Sequence, residues 1–246
     1  MSLWRLEILR LFRTHRLWIL LAVFTSFGVL GPLTARFLPE IVAAFGGGIE
    51  ISVPPPSPEL AMAGYLGNAL QIGILAVAFV AAAALAFDAK PEMAVYLRTR
   101  ATIQRILTPR YTVNMVAAIA SFVIGTAVAY VGTAVLIDAP RLGGTLVASM
   151  LLAVYLAFVV ALTGLAASFV RSVTGAALIS VGALIVFGII GLIPQADQWL
   201  PSNLVGSFDA LIAGGEFAYG RSLLSTIILS MGSIAASFVL MGRRET

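Results

Sequence analysis

Six stretches of the chain carry no charged residue and are long enough to cross a bilayer: Leu17–Ala35, Leu60–Phe87, Tyr111–Ile137, Leu142–Val170, Ser172–Ala196 and Ser222–Gly242. A hydrocarbon layer about 30 Å thick takes roughly 20 helical residues to span. Each stretch is continuous in Leu, Ile, Val, Ala and Gly, and none shows the period-2 alternation and even turn spacing of a membrane barrel strand, so the pattern predicts helices. The predicted spans cover about residues 17–35, 61–87, 111–137, 143–170, 173–194 and 222–241. The fold class is therefore an all-α integral membrane protein, a single six-helix transmembrane domain over residues 1–246.

The polar intervals between spans are patterned as well. Residues 2–16 place Trp4, Ile8, Leu11 and Phe12 on one helical face, with Glu7, Arg10, Arg13 and Thr14 largely opposite, although Leu6 and Leu9 fall on the polar side. This predicts an amphipathic helix over residues 1–16, lying in the interface with its arginines near anionic headgroups; a basic flank that merely orients the first span is the simpler alternative. His15 is the only histidine and reads as a solvated interfacial residue. Residues 36–59 are expected as a loop, with a Gly run at Gly46–Gly48 and the extended, semi-rigid segment Val53-Pro54-Pro55-Pro56-Ser57-Pro58, either a spacer or a gate. Residues 195–221, with Trp199, Phe208, Phe217 and Tyr219, are expected to form one or two short helices at the outer surface, leaving Asp209 and Glu216 in water.

The most highly charged interval is Asp88–Arg110, which holds Lys90, Arg98, Arg100, Arg105 and Arg110. Asp88 is placed to cap a helix beginning near Pro91. Met93, Tyr96 and Leu97 then share one face, and Ile103, Ile106 and Leu107 another. Such a short amphipathic element beside arginines suits a protein-docking knob.

Composition and charge set the environment. The 246-residue chain is 60% hydrophobic and 11% charged, with a mean hydropathy of +1.03, whereas a soluble domain is about one-quarter charged. Lys and Arg in short loops stay on the cytoplasmic side. Arg5, Arg10, Arg13, Arg16, the five of the central loop, Arg171, Arg243 and Arg244 fall on one side, against Arg36, Arg141 and Arg221 on the other. Both termini and residues 88–110 are thus expected in the cytoplasm, and the net charge of +4 belongs to orientation rather than to nucleic acid.

Candidate chemistry narrows the function by what is missing. There is no cysteine, hence no disulfide framework or Cys-based metal site or nucleophile. The six runs contain no Asp, Glu, Lys, Arg or His, although proton-coupled carriers usually keep such groups within the membrane. No Gly-rich loop ending in Gly-Lys-Ser/Thr is present to cradle ATP phosphates, and one histidine leaves no Ser–His pair or metal cluster. The reading is not an enzyme: no catalytic residue, no metal and no cofactor on this chain. Uphill transport would need energy from another chain. Within the spans, Asn68 and Gln71 lie three residues apart on one helix face and are expected to meet another helix or a cavity, as helix–helix glue or as a substrate path. Gly164, Ala166, Ala167, Ser168, Gly175, Gly182, Gly188 and Gly191 are expected to let the fourth and fifth spans pack closely.

Taken in order, the basic amphipathic N-terminus, the six spans, the charged loop after span two and the amphipathic segment before span six resemble a type-2 ABC exporter permease over essentially the whole chain. Glu92, then Tyr96-Leu97-Arg98-Thr99-Arg100, then Arg105-Ile106-Leu107-Thr108-Pro109-Arg110 are similar to the family's acid, Leu-rich turn and basic lead into span three. Ala94-Val95 stand where a Gly-Thr pair often follows the acid, and Leu200-Pro201-Ser202 resemble the family's outer re-entrant region. The resemblance implies a cytoplasmic coupling helix between spans two and three, short outer re-entrant helices between spans five and six, and a bacterial or archaeal inner-membrane location. It also implies two ATP-binding-cassette ATPase subunits that carry the ATP and Mg, a second permease copy or homologous permease, and export of an amphipathic drug, lipid or peptide. The ATPase contact would fall on Lys90, Glu92, Met93, Tyr96, Leu97, Arg98 and Arg100. The alternative is a membrane anchor, sensor or immunity subunit that transports nothing.

Overall fold

A computed structural model describes residues 2–45, 54–89, 92, 96, 99 and 101–243. The described residues contain six helices long and apolar enough to cross a membrane: α2 (Arg16–Phe45), α3 (Pro58–Leu85), α4 (Ile103–Leu136), α5 (Leu142–Phe169), α6 (Val173–Ile190) and α9 (Gly220–Gly242). Shorter helices are α1 (Leu3–Arg13), α7 (Pro194–Asp197) and α8 (Asn203–Ile212). No strand occurs among the described residues.

Helix boundaries follow local chemistry. Ser2, Ser57 and Ser172 cap α1, α3 and α6, their hydroxyls accepting from the amides of Arg5, Leu60 and Gly175 at 3.3, 3.2 and 3.0 Å. Pro58 occupies the first turn of α3, where its missing amide costs nothing, and Glu59 beside it faces the positive end of the helix dipole. Between α1 and α2 the chain turns at His15, whose φ of +57° is unusual outside glycine. Histidine tolerates this region better than most side chains, at a cost on the order of 1 kcal/mol. The side chain is exposed, as expected of a solvated residue.

Two helices run past the ends that the charge pattern suggests. α2 continues through Arg36 to Phe45, so residues 36–45 are helix rather than loop. Nothing there breaks it: Pro32 and Pro39 sit inside the helix, and the freed carbonyls are tolerated where neighbouring groups re-satisfy them. Arg36 ends an uncharged run without ending the helix, because α2 at about 45 Å exceeds the hydrocarbon thickness. Likewise α4 begins at Ile103, not near Tyr111, and buries Ile103, Ile106 and Leu107 in the core. The second stripe assigned to the charged loop is therefore the foot of a spanning helix. The Gly46–Gly48 run lies outside the described residues. Pro54–Pro56 are non-helical, and Pro54 and Pro55 line a groove together with Asp209, Ile212 and Ala213.

Lipid is as apolar as leucine, so helices in a membrane gain little from the hydrophobic effect and associate through close packing instead. The α2–α3–α4 cluster shows this at Phe24, which is fully buried and meets the ring of Phe122 edge-on at 5.7 Å between centroids. A Cβ added at Gly73 would stand 2.7 Å from the Phe24 ring, and one at Gly125 would stand 2.7 Å from its Cβ, so the ring fits because both positions are glycine. The more centrally buried α5 packs against α3, α4, α6, α8 and α9. Gly164 of α5 lies against the Tyr111 hydroxyl, which donates to Ser237 Oγ of α9 at 2.8 Å. Ala166, Ala167 and Ser168 are buried as the small-residue pattern expects. Gly182 and Gly188 are not part of that packing, since a Cβ at either would meet open space.

Candidate functional site at the basic end of the bundle

The start of α1, the start of α2, the end of α3 and the start of α4 converge, and arginine draws them together. Helix α3 ends at Leu85, leaving its last carbonyls without helical partners. Arg16 Nη2 donates to the Ala83 carbonyl at 2.9 Å, and Arg110 Nη1 donates to the Ala84 carbonyl at 3.0 Å. Cations at this negative helix end are favoured by the macrodipole as well as by the hydrogen bonds.

The second anchor is Glu7. Its Oε1 accepts from Arg110 Nε at 3.1 Å and from Arg10 Nη1 at 2.9 Å. Glu7 is 5% exposed and Arg110 2%, so this pair, 103 residues apart in sequence, is shielded from water. Burying two ions costs several kcal/mol each, and the geometry must return it. Here the guanidinium divides its donors between a carboxylate and a helix-terminal carbonyl, while the carboxylate also holds a second arginine. The result is a clamp: α1 to α4 through Glu7–Arg110, α4 to α3 through Arg110–Ala84, and α2 to α3 through Arg16–Ala83.

The clamp reorients α1 relative to the sequence pattern. Glu7 and Leu11 face the bundle, whereas Trp4, Ile8 and Phe12 are exposed on the adjoining side. The apolar face thus looks away from the protein, as it must if it is to lie in lipid. Glu7, which falls on the polar face in the sequence pattern, is instead the buried anchor of this clamp. A signal existed, because Glu7 is the lone acid among Arg5, Arg10, Arg13 and Arg16 and stands three residues before Arg10.

Residues 86–102 connect the end of α3 to the start of α4. Asp88 lies in a short 3₁₀ turn, Phe87–Ala89. Glu92 and Tyr96 are helical and exposed, and Thr99 Oγ1 donates to the Tyr96 carbonyl at 2.8 Å. Lys90, Met93, Leu97, Arg98 and Arg100 lie outside the described residues. Arg110, counted with the loop's charges, is buried within α4.

Asn68 and Gln71 stand elsewhere, partway along α3 and on its outward face. Asn68 Nδ2 donates to the Gly64 carbonyl at 2.9 Å, one turn back along its own helix. Gln71 forms no side-chain hydrogen bond among the described residues. Both are exposed, and among the described residues neither side chain hydrogen-bonds to another helix. An amide left facing hydrocarbon is costly, so this face is one that lipid alone covers poorly. Asn114, unremarked in the sequence, is buried in α4 one turn beyond Arg110 and donates to the Arg110 carbonyl at 2.7 Å.

Six long apolar helices joined in one bundle settle the class. The chain is a multi-pass membrane protein. It is similar to the uncharacterized transmembrane protein YxlG of Bacillus subtilis (strain 168), with 28% identity over 213 residues, covering 83% of this chain and 82% of that protein. No protein-family model matches the chain, and no solved structure matches it.

Proposed function

We propose that this multi-pass protein is the membrane subunit of a type-2 ABC exporter. Two such subunits, identical or related, work with two ATP-binding-cassette subunits that bind and hydrolyse ATP with Mg. The basic end is cytoplasmic, because twelve of the fifteen Lys and Arg residues fall on that side, and both termini lie there with it. The observation that carries the proposal is the clamp. Residues 86–102 connect α3 to α4, and the ends of these helices are tied by Glu7, Arg16 and Arg110, so a push on Tyr96 would be delivered to α1–α4 together. A loop on loose anchors would absorb the same push in its own bending.

The coupling element lies between the second and third spans, with Lys90, Glu92, Met93, Tyr96, Leu97, Arg98 and Arg100 as the ATPase contact. The amides of Asn68 and Gln71 face either a second permease copy or the path of an amphipathic substrate, both of which relieve their exposure to lipid. Helices α7 and α8 and the start of α9 form the outer wall through which the substrate leaves.

The test is coexpression with the partner ATPase. Tyr96→Asp or Arg98→Glu is expected to abolish substrate-stimulated ATP hydrolysis and transport while the protein still inserts and purifies in normal amounts. Undiminished stimulation in both variants overturns the assignment of this loop. Failure to recover any stoichiometric ATPase from the native membrane instead favours an anchor or sensor subunit.

A further inference from the structure

Beside the clamp, a groove of about 440 Å³ opens between the first turn of α1 and the foot of α4, lined by Leu3, Trp4, Gln104, Arg105, Thr108 and Pro109. We propose that this groove binds the phosphate headgroup of an anionic phospholipid from the leaflet at the basic end. The inference is independent of any transport cycle.

Position gives the first argument. Trp4 lines the groove and also heads the exposed apolar face formed with Ile8 and Phe12. Tryptophan at such a face settles where acyl chains meet headgroups, which puts the mouth of the groove at phosphate depth. Charge gives the second. Arg105 is exposed and makes no ion pair or hydrogen bond with its side chain among the described residues. Neither α1 nor α4 has an acid in its first turn, and the acid of α1, Glu7, is committed to Arg10 and Arg110. Among the described residues the groove's lining therefore presents an unpaired guanidinium and no carboxylate to repel a phosphate.

Lining chemistry gives the third. Gln104, Arg105 and Thr108 supply donors from two adjacent turns of α4, and none of these side chains is engaged in another hydrogen bond among the described residues. Leu3, Trp4 and Pro109 form an apolar wall that a free phosphate would leave unused but the glycerol and upper acyl chain of a lipid would cover. An arginine suits a phosphate through its planar pair of donors. A choline or ethanolamine headgroup would bring a second cation toward Arg105, so the site selects a lipid whose headgroup adds no positive charge, such as phosphatidylglycerol.

The full chain, reconstituted in nanodiscs of phosphatidylcholine with graded phosphatidylglycerol, is released in neutral detergent and read by native mass spectrometry. Wild-type protein is expected to retain phosphatidylglycerol in preference to phosphatidylcholine. Arg105→Gln should weaken that retention about tenfold, the scale of one lost charged hydrogen bond. Arg13→Gln, which removes an exposed arginine of α1 outside the groove, should leave it within about twofold. Equal retention of the two lipids by the wild type overturns the site without reference to any variant. Equal losses in the two variants reduce it to diffuse attraction and also overturn it. Displacement of the lipid by millimolar inorganic phosphate would show a simple anion site and overturn the lipid assignment.

Discussion

The two ends of the bundle are fastened by opposite kinds of chemistry. At the basic end, buried ions join α1, α3 and α4, and a second arginine joins α2 to α3. At the other end no ion pair is buried among the described residues: the exposed Arg221 Nη1 donates to Gln198 Oε1 at 2.9 Å, and the buried joints are neutral. Ser222 Oγ donates to the Gln198 carbonyl at 2.9 Å and accepts from Asn203 Nδ2 at 3.0 Å, while Ser225 Oγ donates to the Trp199 carbonyl at 2.5 Å. Close backbone approach does the rest, with Gly144 of α5 lying against the Leu211 carbonyl of α8. Neutral hydroxyl bonds are worth about 1 kcal/mol each, and breaking one strands no charge. Breaking a buried ion pair does, and each partner alone is far costlier than the two together. One end therefore holds a single arrangement, whereas the other can change its contacts in small steps. The exporter function proposed above calls for such a distribution of stiffness, driven at one end and opening at the other.

Breaking the charged end should have the largest effect. Glu7→Leu leaves Arg10, Arg16 and Arg110 together without their carboxylate and is expected to cost about 3–5 kcal/mol of stability. Denaturant unfolding in detergent measures it. Glu7→Leu combined with Arg110→Met should recover most of the loss, since no charge is then stranded. A double variant as unstable as the single one would show that packing, not charge, holds α1.

At the neutral end, Ser222→Ala removes one donor and one acceptor on a buried hydroxyl and should cost about 1 kcal/mol by the same measurement. A loss matching that of Glu7→Leu would erase the contrast between the ends.

The smallest effect concerns Asp209, which faces the groove formed by Pro54, Pro55, Glu59 and α8. Partial loss of water there raises its carboxyl above the ordinary range. The folded state consequently holds its proton to a higher pH than the unfolded chain does, so the folded state binds more protons in that window. Stability should fall slightly as pH rises from about 4 to the raised folded value, then level off. Asp209→Asn should remove this slope, and an unchanged slope in the variant would assign the titration to another group.

Much of the architecture is legible in the sequence because membrane insertion is a local property. Whether a stretch can lie in hydrocarbon depends on its own side chains, so the absence of charge in Leu142–Val170 or Tyr111–Ile137 is enough to mark a span. The two short helices before α9 follow from similar local signals, Pro194 starting one and Leu204, Phe208, Leu211 and Ile212 falling at helical spacing in the other. Helix ends are less legible. Arg36 and Arg105 interrupt the apolar pattern without interrupting the backbone hydrogen bonds, and only the fold shows α2 and α4 continuing through them.

What the tertiary structure alone decided is which polar groups meet. Glu7 and Arg110 are 103 residues apart, and nothing local distinguishes Arg110 from Arg98 or Arg100. The choice is made by helix packing, which brings the foot of α4 beside both α1 and the end of α3 and excludes water from that corner. The same packing turns Asn68 and Gln71 outward, although their spacing reads equally well as an inward face. Hydrophobic transfer sums along the chain and can be read from it. Pairing of buried charge depends on contacts between distant segments, so it exists only once the helices have assembled.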